Sequence, residues 1–174
     1  KITNSFFYSI TTRNAGLQIH DLGNFQVTTL LIFSLLMFIG CSPSSVGGGV
    51  RTTTVVIIAL YLISFLKSES SVNIFGRKIN EEDIRKSVAV FTLSLLICLS
   101  CVIFLTAVED IFLIAIIVEV ASAFGTTALS LGITPELSSL GKMIIALLMF
   151  IGRIGMLYTL LLFVPKETRD LGYN

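Results

Sequence analysis

Chemistry is conceivable at few places in this sequence: a C-x-x-C pair, one histidine, a handful of ionisable groups in apolar runs, and short loops of small polar residues. Cys98 and Cys101 have the spacing of a metal or dithiol site, but no second ligand pair and no neighbouring histidine accompanies them. With Cys41 they sit in apolar stretches and read as buried free thiols. His20 and Asp21 read as a solvated loop. There is no nucleophile–base pair, no phosphate-cradling glycine loop ahead of a strand and no H-E-x-x-H, so the sequence predicts neither an enzyme nor a bound cofactor. Arg153 stands 11 residues into a run of 22 (143–164) that holds no other charge. An unpaired arginine in mid-membrane costs ~2.5–3.5 kcal/mol or more, so it needs carbonyls or a carboxylate.

The elements that position these groups are immersed in lipid. The chain is 54% hydrophobic and 13% charged, against about a quarter charged in a soluble domain. A net charge of +1 and the lack of a dense basic face exclude nucleic acid as a partner. Residues 88–108 are 21 residues without a charge, and each of the runs 88–108 and 143–164 can cross a ~30 Å hydrocarbon layer as a helix. Residues 25–66 are also apolar but are broken at 40–49, where Pro43 and a glycine triplet oppose helix. Residues 111–124 are too short to span at 14 residues and precede the turn-prone stretch 125–132. That is the pattern of a helix that dips into the membrane and returns as a loop. Backbone of this kind is tolerated at membrane depth only where it lines a wet or protein-enclosed cavity. The loop 67–87 holds Lys67, Arg77, Lys78, Arg85 and Lys86, whereas the opposite segments lack Lys and Arg, which predicts that it is cytoplasmic. Asn80 followed by Glu81, Glu82 and Asp83 reads as a helix start.

An internal repeat organises these elements. Displaced by 112 residues, Leu17 falls on Leu129 and Leu35-Leu36-Met37-Phe38-Ile39-Gly40 falls without a gap on Leu147-Leu148-Met149-Phe150-Ile151-Gly152. The loop Asn14-Ala15-Gly16 then falls on Thr126-Thr127-Ala128. The unit is a span, a short re-entrant helix, a loop and a span. The chain reads as a fragment that holds the end of one copy and the whole of the next.

Several motifs, in order, resemble the third and fourth repeats of KtrB-type subunits of the Ktr/Trk/HKT potassium transporter superfamily. They are residues 12–17, 38–54, 74–79, 122–127 and 149–155. The resemblance implies an all-α, multi-pass protein of the cell membrane, with helix–pore-loop–helix units around a central pore. It implies a homodimer, lipid contact, and a cytosolic nucleotide-binding regulatory ring of the KtrA type. The expected organisation is 1–66 as the end of the third repeat, 67–87 as the cytoplasmic loop, 88–164 as the fourth repeat and 165–174 as a cytoplasmic tail.

A potassium filter replaces the ion's hydration shell with backbone carbonyls. By resemblance Asn14, Ala15 and Gly16 supply one wall and Thr126, Thr127 and Ala128 another, with K+ at these residues and by extension Na+ as cargo. The alternative, ordinary turns between helices, would lie outside the membrane and need no short apolar helix ahead of them. A glycine usually holds the filter position, so Ala128 predicts a wider or redirected fourth wall and weaker discrimination against sodium. Residues 40–49, with Ser44, Ser45, Gly47, Gly48 and Gly49, resemble an intramembrane gating loop, the alternative being a static kink. Arg153 is expected beside the ion path, bonded to carbonyls of that loop; a structural salt bridge, for instance to Glu119, is the competing account. Glu119 itself is expected either to hold filter N–H groups or to line the path, and Arg13 to be a strut. The expected function is potassium uptake through a gated pore. The rivals are an alternating-access Na+/K+-coupled carrier and a membrane scaffold recruiting partners through 67–87.

Overall fold

The structure, a computed structural model, describes residues 2–13, 15–42, 47–67, 73–74 and 77–154. These residues are all-helical apart from one hairpin of two-residue strands. In chain order the helices are α1 (Ile2–Thr11), α2 (Val27–Phe38), α3 (Thr52–Leu66), α4 (Glu81–Val108), α5 (Leu113–Gly125) and α6 (Ser139–Ile154), and the hairpin β1 (Asn73–Ile74) and β2 (Arg77–Lys78) lies between α3 and α4. The strands are antiparallel, with Asn73 opposite Lys78 and Ile74 opposite Arg77. This small sheet within 67–87 was not expected, because two-residue strands leave no hydrophobic period to read.

The predicted interruption falls between α2 and α3. α2 stops at Phe38 because the next turn cannot continue: the Phe38 carbonyl accepts from both Gly40 and Val50, and Cys41 accepts from Thr52. Ile39 and Val50 form a parallel bridge, so the backbone on the two sides of the break runs side by side in the same direction. A Cβ on Gly40 would lie 1.9 Å from the Gly48 carbonyl oxygen, and Gly49 has φ +82°; both need glycine.

α4 starts as read. The Asn80 side chain accepts from the Glu82 N–H at 3.4 Å, with Glu81, Glu82 and Asp83 in the first turn and Glu82 paired to Lys86 at 2.8 Å. Its 28 residues rise ~42 Å, and by length and composition it is the one helix among the described residues that can cross a membrane. Its hydroxyls close on their own backbone: Thr92, Ser94 and Thr106 donate to carbonyls four residues back at 2.7–2.8 Å. That satisfies polar groups where lipid could not.

α5 sits at the centre, packed against α2, α4 and α6. Ten of its 13 residues are buried, Ala115, Ile116 and 118–125. One side meets the cluster of Val50, Val90, Leu105, Leu137, Ile145 and Leu148; the other meets Tyr8, Leu22, Leu30, Phe33 and Met37. Phe124 stacks on Phe38 with centroids 5.5 Å apart. The 112-residue register carries α1 onto 114–123, inside α5, and the first residue of α2 onto the first residue of α6. α6 thus begins at Ser139 rather than at the apolar residue Met143, because Ser138 caps it through the Gly141 N–H at 3.1 Å. Residues 155–164 of the expected last span lie outside the described residues.

Candidate functional site

Each repeat's short helix ends in a loop, and different side chains hold the two loops. After α1, the Thr11 hydroxyl donates to the Leu17 carbonyl and accepts from the Leu17 N–H, both at 2.8 Å. The Tyr8 hydroxyl clasps His20 in the same way, accepting from its N–H at 2.9 Å and donating to its carbonyl at 3.2 Å. After α5, Glu119 does this work although it is only 5% exposed: its carboxylate accepts from Ser130 Oγ at 2.8 Å and from Thr134 Oγ1. Its partners among the described residues are hydroxyls of the returning chain.

The two loops meet. Gln18 Nε2 donates to the carbonyl of Ser130, its own counterpart in the repeat, at 2.9 Å. A Cβ on Gly16 would lie 2.2 Å from the Thr127 carbonyl oxygen and 3.3 Å from Ala128 Cβ. Gly16 has φ +64° and Ala128 φ +68°. Alanine thus takes a φ close to the glycine's and carries its cost, ~1–2 kcal/mol. Thr126 is also left-handed, at φ +52°, while Thr127 between them is not. Ala15 and Ala128 are exposed and Gly16 half-buried. Thr127 is 2% exposed, and its Oγ1 has no hydrogen-bond partner. Asn14 lies outside the described residues.

The interrupted segment touches both loops. Cys41 Sγ approaches the Arg13 carbonyl at 3.7 Å, and the Gly48 N–H donates to Thr126 Oγ1 at 2.9 Å. A Cβ on Gly48 would lie 2.8 Å from Thr126 side-chain atoms and 2.9 Å from the Gly152 carbonyl oxygen. A Cβ on Gly152 would in turn lie 2.1 Å from the Phe124 carbonyl oxygen. Gly48 is thus brought to Thr126 and Gly152, whereas Gly49 lies against Gly40 and the Phe38 carbonyl. Ser44 and Ser45 lie outside the described residues.

Among the charged groups, Arg153 is exposed on α6, one residue before the end of the described part of that helix. Among the described residues the single ion pair is Glu82–Lys86, so Arg153 makes none there. Arg13 is exposed without a carboxylate partner among them. The sequence reading missed Glu109, whose carboxylate accepts from the Ser138 N–H at 3.0 Å and from its hydroxyl, sitting over the start of α6. Its place just after an apolar span was the available signal. Cys41, Cys98 and Cys101 are free thiols. No metal-binding cluster of His, Cys, Asp or Glu occurs among the described residues.

The TrkH family, described as cation transport protein, matches residues 1–170. The chain is 45% identical over 163 residues to Ktr system potassium uptake protein D of Bacillus subtilis, covering 94% of this chain and 36% of that protein. It is 38% identical over 173 residues to Ktr system potassium uptake protein B of the same organism, covering 99% and 39%. To the potassium/sodium uptake protein NtpJ of Enterococcus hirae it is 32% identical over 173 residues, covering 97% and 38%. The chain spans less than two fifths of the length of these relatives. Helices built for lipid, paired loops in one register and full-length similarity to transport proteins agree: the chain belongs to the TrkH family of cation transport proteins, as a KtrB-type member.

Proposed function

We propose that this chain forms half of a four-repeat pore for potassium uptake across the cell membrane. In this reading residues 14–16 and 126–128 are two of four carbonyl-lined filter walls, and 40–49 is the intramembrane gate beneath them. The observation that carries it is the meeting of the two loops, with Gly16 and Ala128 in one left-handed turn at equivalent positions and Gln18 bonded to Ser130. A cation stripped of water needs several oxygens held at fixed positions, and loops with successive carbonyls turned to one side supply them. Inside-negative potential drives entry at ~2.3 kcal/mol per charge per 100 mV. Residues 1–66 are then the end of the third repeat and 88–164 the fourth, 67–87 and 165–174 face the cytoplasm, and the subunit pairs with a second copy and a KtrA-type ring.

Glu119, Ser130 and Thr134 tie the return of the loop to α5, just beyond Thr127 and Ala128. Arg153 would place a fixed positive charge near the path and raise the barrier to cations. The test is potassium uptake by the full-length protein in vesicles under an imposed potential, with and without residues 44–46. A gated pore gives uptake without an obligatory co-substrate, and the deletion raises unstimulated uptake. Uptake that strictly requires a coupling ion, or a folded deletion variant with lower uptake, would refute the pore or the gate respectively.

A further inference from the structure

The point where the interrupted segment touches the fourth loop is a side chain in a strained backbone. Thr126 is β-branched yet takes φ +52°, ψ +39° as the C-cap of α5. Such a residue rarely holds this conformation unless its surroundings impose it. Two contacts impose it here. Its N–H and that of Thr127 close the end of α5 on the carbonyls of Ala123 and Ser122 at 3.2 and 3.0 Å. Its hydroxyl accepts the Gly48 N–H at 2.9 Å, across 78 residues of sequence. Gly48 can come this close only because it lacks a Cβ.

We propose that the Thr126 hydroxyl is a latch that couples the position of the interrupted segment to the geometry of the fourth filter wall. With the segment seated, the Gly48 N–H holds the Thr126 side chain and so helps fix the peptide that joins Thr126 to Thr127. When the segment withdraws, that hold is lost and Thr126 relaxes from its left-handed turn. The Thr126 carbonyl then rotates away from its neighbours. Gate and filter are on this account one device: the same bond that keeps the segment in place keeps the wall selective. Thr126 is a positioning residue here in addition to a carbonyl donor, and the inference rests on the filter-and-gate reading above.

The test uses the full-length protein in vesicles, with potassium uptake measured with and without sodium as competitor. Thr126→Val keeps the β-branch and loses the hydroxyl. It should raise unstimulated uptake roughly 3- to 10-fold, the factor carried by one net hydrogen bond, and lower the preference for potassium in the same preparation. Thr126→Gly loses the hydroxyl while relaxing the backbone, so strain cannot prevent its folding, and it should loosen the gate similarly. Thr126→Ser should restore most of the closure lost in Thr126→Val. Adding Thr126→Val to the 44–46 deletion should change uptake less than about 2-fold, since the latch then has nothing to hold. Effects that multiply, or Thr126→Val and Thr126→Gly that both gate as wild type, overturn the coupling. Gly16→Ala in parallel separates the two layers. If it lowers selectivity while the Thr126 variants gate normally, only the latch fails; if it leaves selectivity intact, the filter reading fails with it.

Discussion

Gly16 and Ala128 occupy equivalent turns at nearly equal φ, +64° and +68°, which allows the effect of a methyl group to be separated from the effect of its surroundings. In Gly16→Ala the left-handed conformation alone costs ~1–2 kcal/mol, a burden Ala128 already bears. The rest comes from the neighbouring loop. The new Cβ would stand 2.2 Å from the Thr127 carbonyl oxygen, where ordinary contact begins near 3.4 Å, so that carbonyl must retreat by more than an ångström. Overpacking of this size typically adds ~1–3 kcal/mol, giving a total of ~2–5 kcal/mol. A carbonyl displaced that far no longer completes an ion's shell. The expected outcome is a lower midpoint in thermal unfolding and at least a several-fold loss of potassium preference in competition with sodium. The reverse change, Ala128→Gly, relieves the strain, meets no neighbour and exchanges roughly 0.4–1 kcal/mol of chain entropy for it. It should leave stability near wild type and selectivity equal or better. Wild-type selectivity in a folded Gly16→Ala protein would refute the reasoning, because it would mean that the Thr127 carbonyl is not where the ion passes.

Glu109→Gln weakens two bonds to the capping residue Ser138 and removes a negative charge from the start of α6, and should cost ~1–2 kcal/mol in denaturant unfolding; combined with Ser138→Ala it should be clearly less than additive. Arg153→Gln removes a positive charge without removing a donor, and should raise cation flux per folded molecule; lower stability with no gain in flux would return Arg153 to a structural role.

Local chemistry made much of this legible. Pro43 and the glycines announced the break between α2 and α3, 14 apolar residues were too few to span and became α5, and Asn80 with three acidic residues announced α4. The repeat placed the two loops in register because its signature hexapeptide lies in the helices that follow them. What stayed hidden depended on partners distant in sequence. Nothing near Glu109 points to Ser138, and nothing near Thr126 points to Gly48. Propensity predicts that alanine avoids positive φ, yet Ala128 adopts it, beside the packing of Gly16 against Thr127 and the tie at Ser130. The apolar neighbours of Arg153 in sequence point to acceptors for its guanidinium, but the residues that follow it and residues 43–46 of the interrupted segment lie outside the described residues.

The second hydrophobic cluster is shared between segments made far apart in time. Tyr8, Leu22, Leu30, Phe33 and Met37 leave the ribosome first, and the Val118, Ala121 and Leu129 that cover them follow about a hundred residues later. At ~5–20 residues per second, Gln18 waits roughly 5–20 s for Ser130. During biogenesis the earlier loop therefore has its tethers from Tyr8 and Thr11 but no opposing wall, and its aromatic side chains remain uncovered in a nascent membrane chain. Assembly of the earlier half-site becomes a checkpoint that only translation of α5 can clear. A ribosome stalled between α4 and α5 should leave an intermediate in which Tyr8 and Phe33 are still open to a membrane chaperone or a protease.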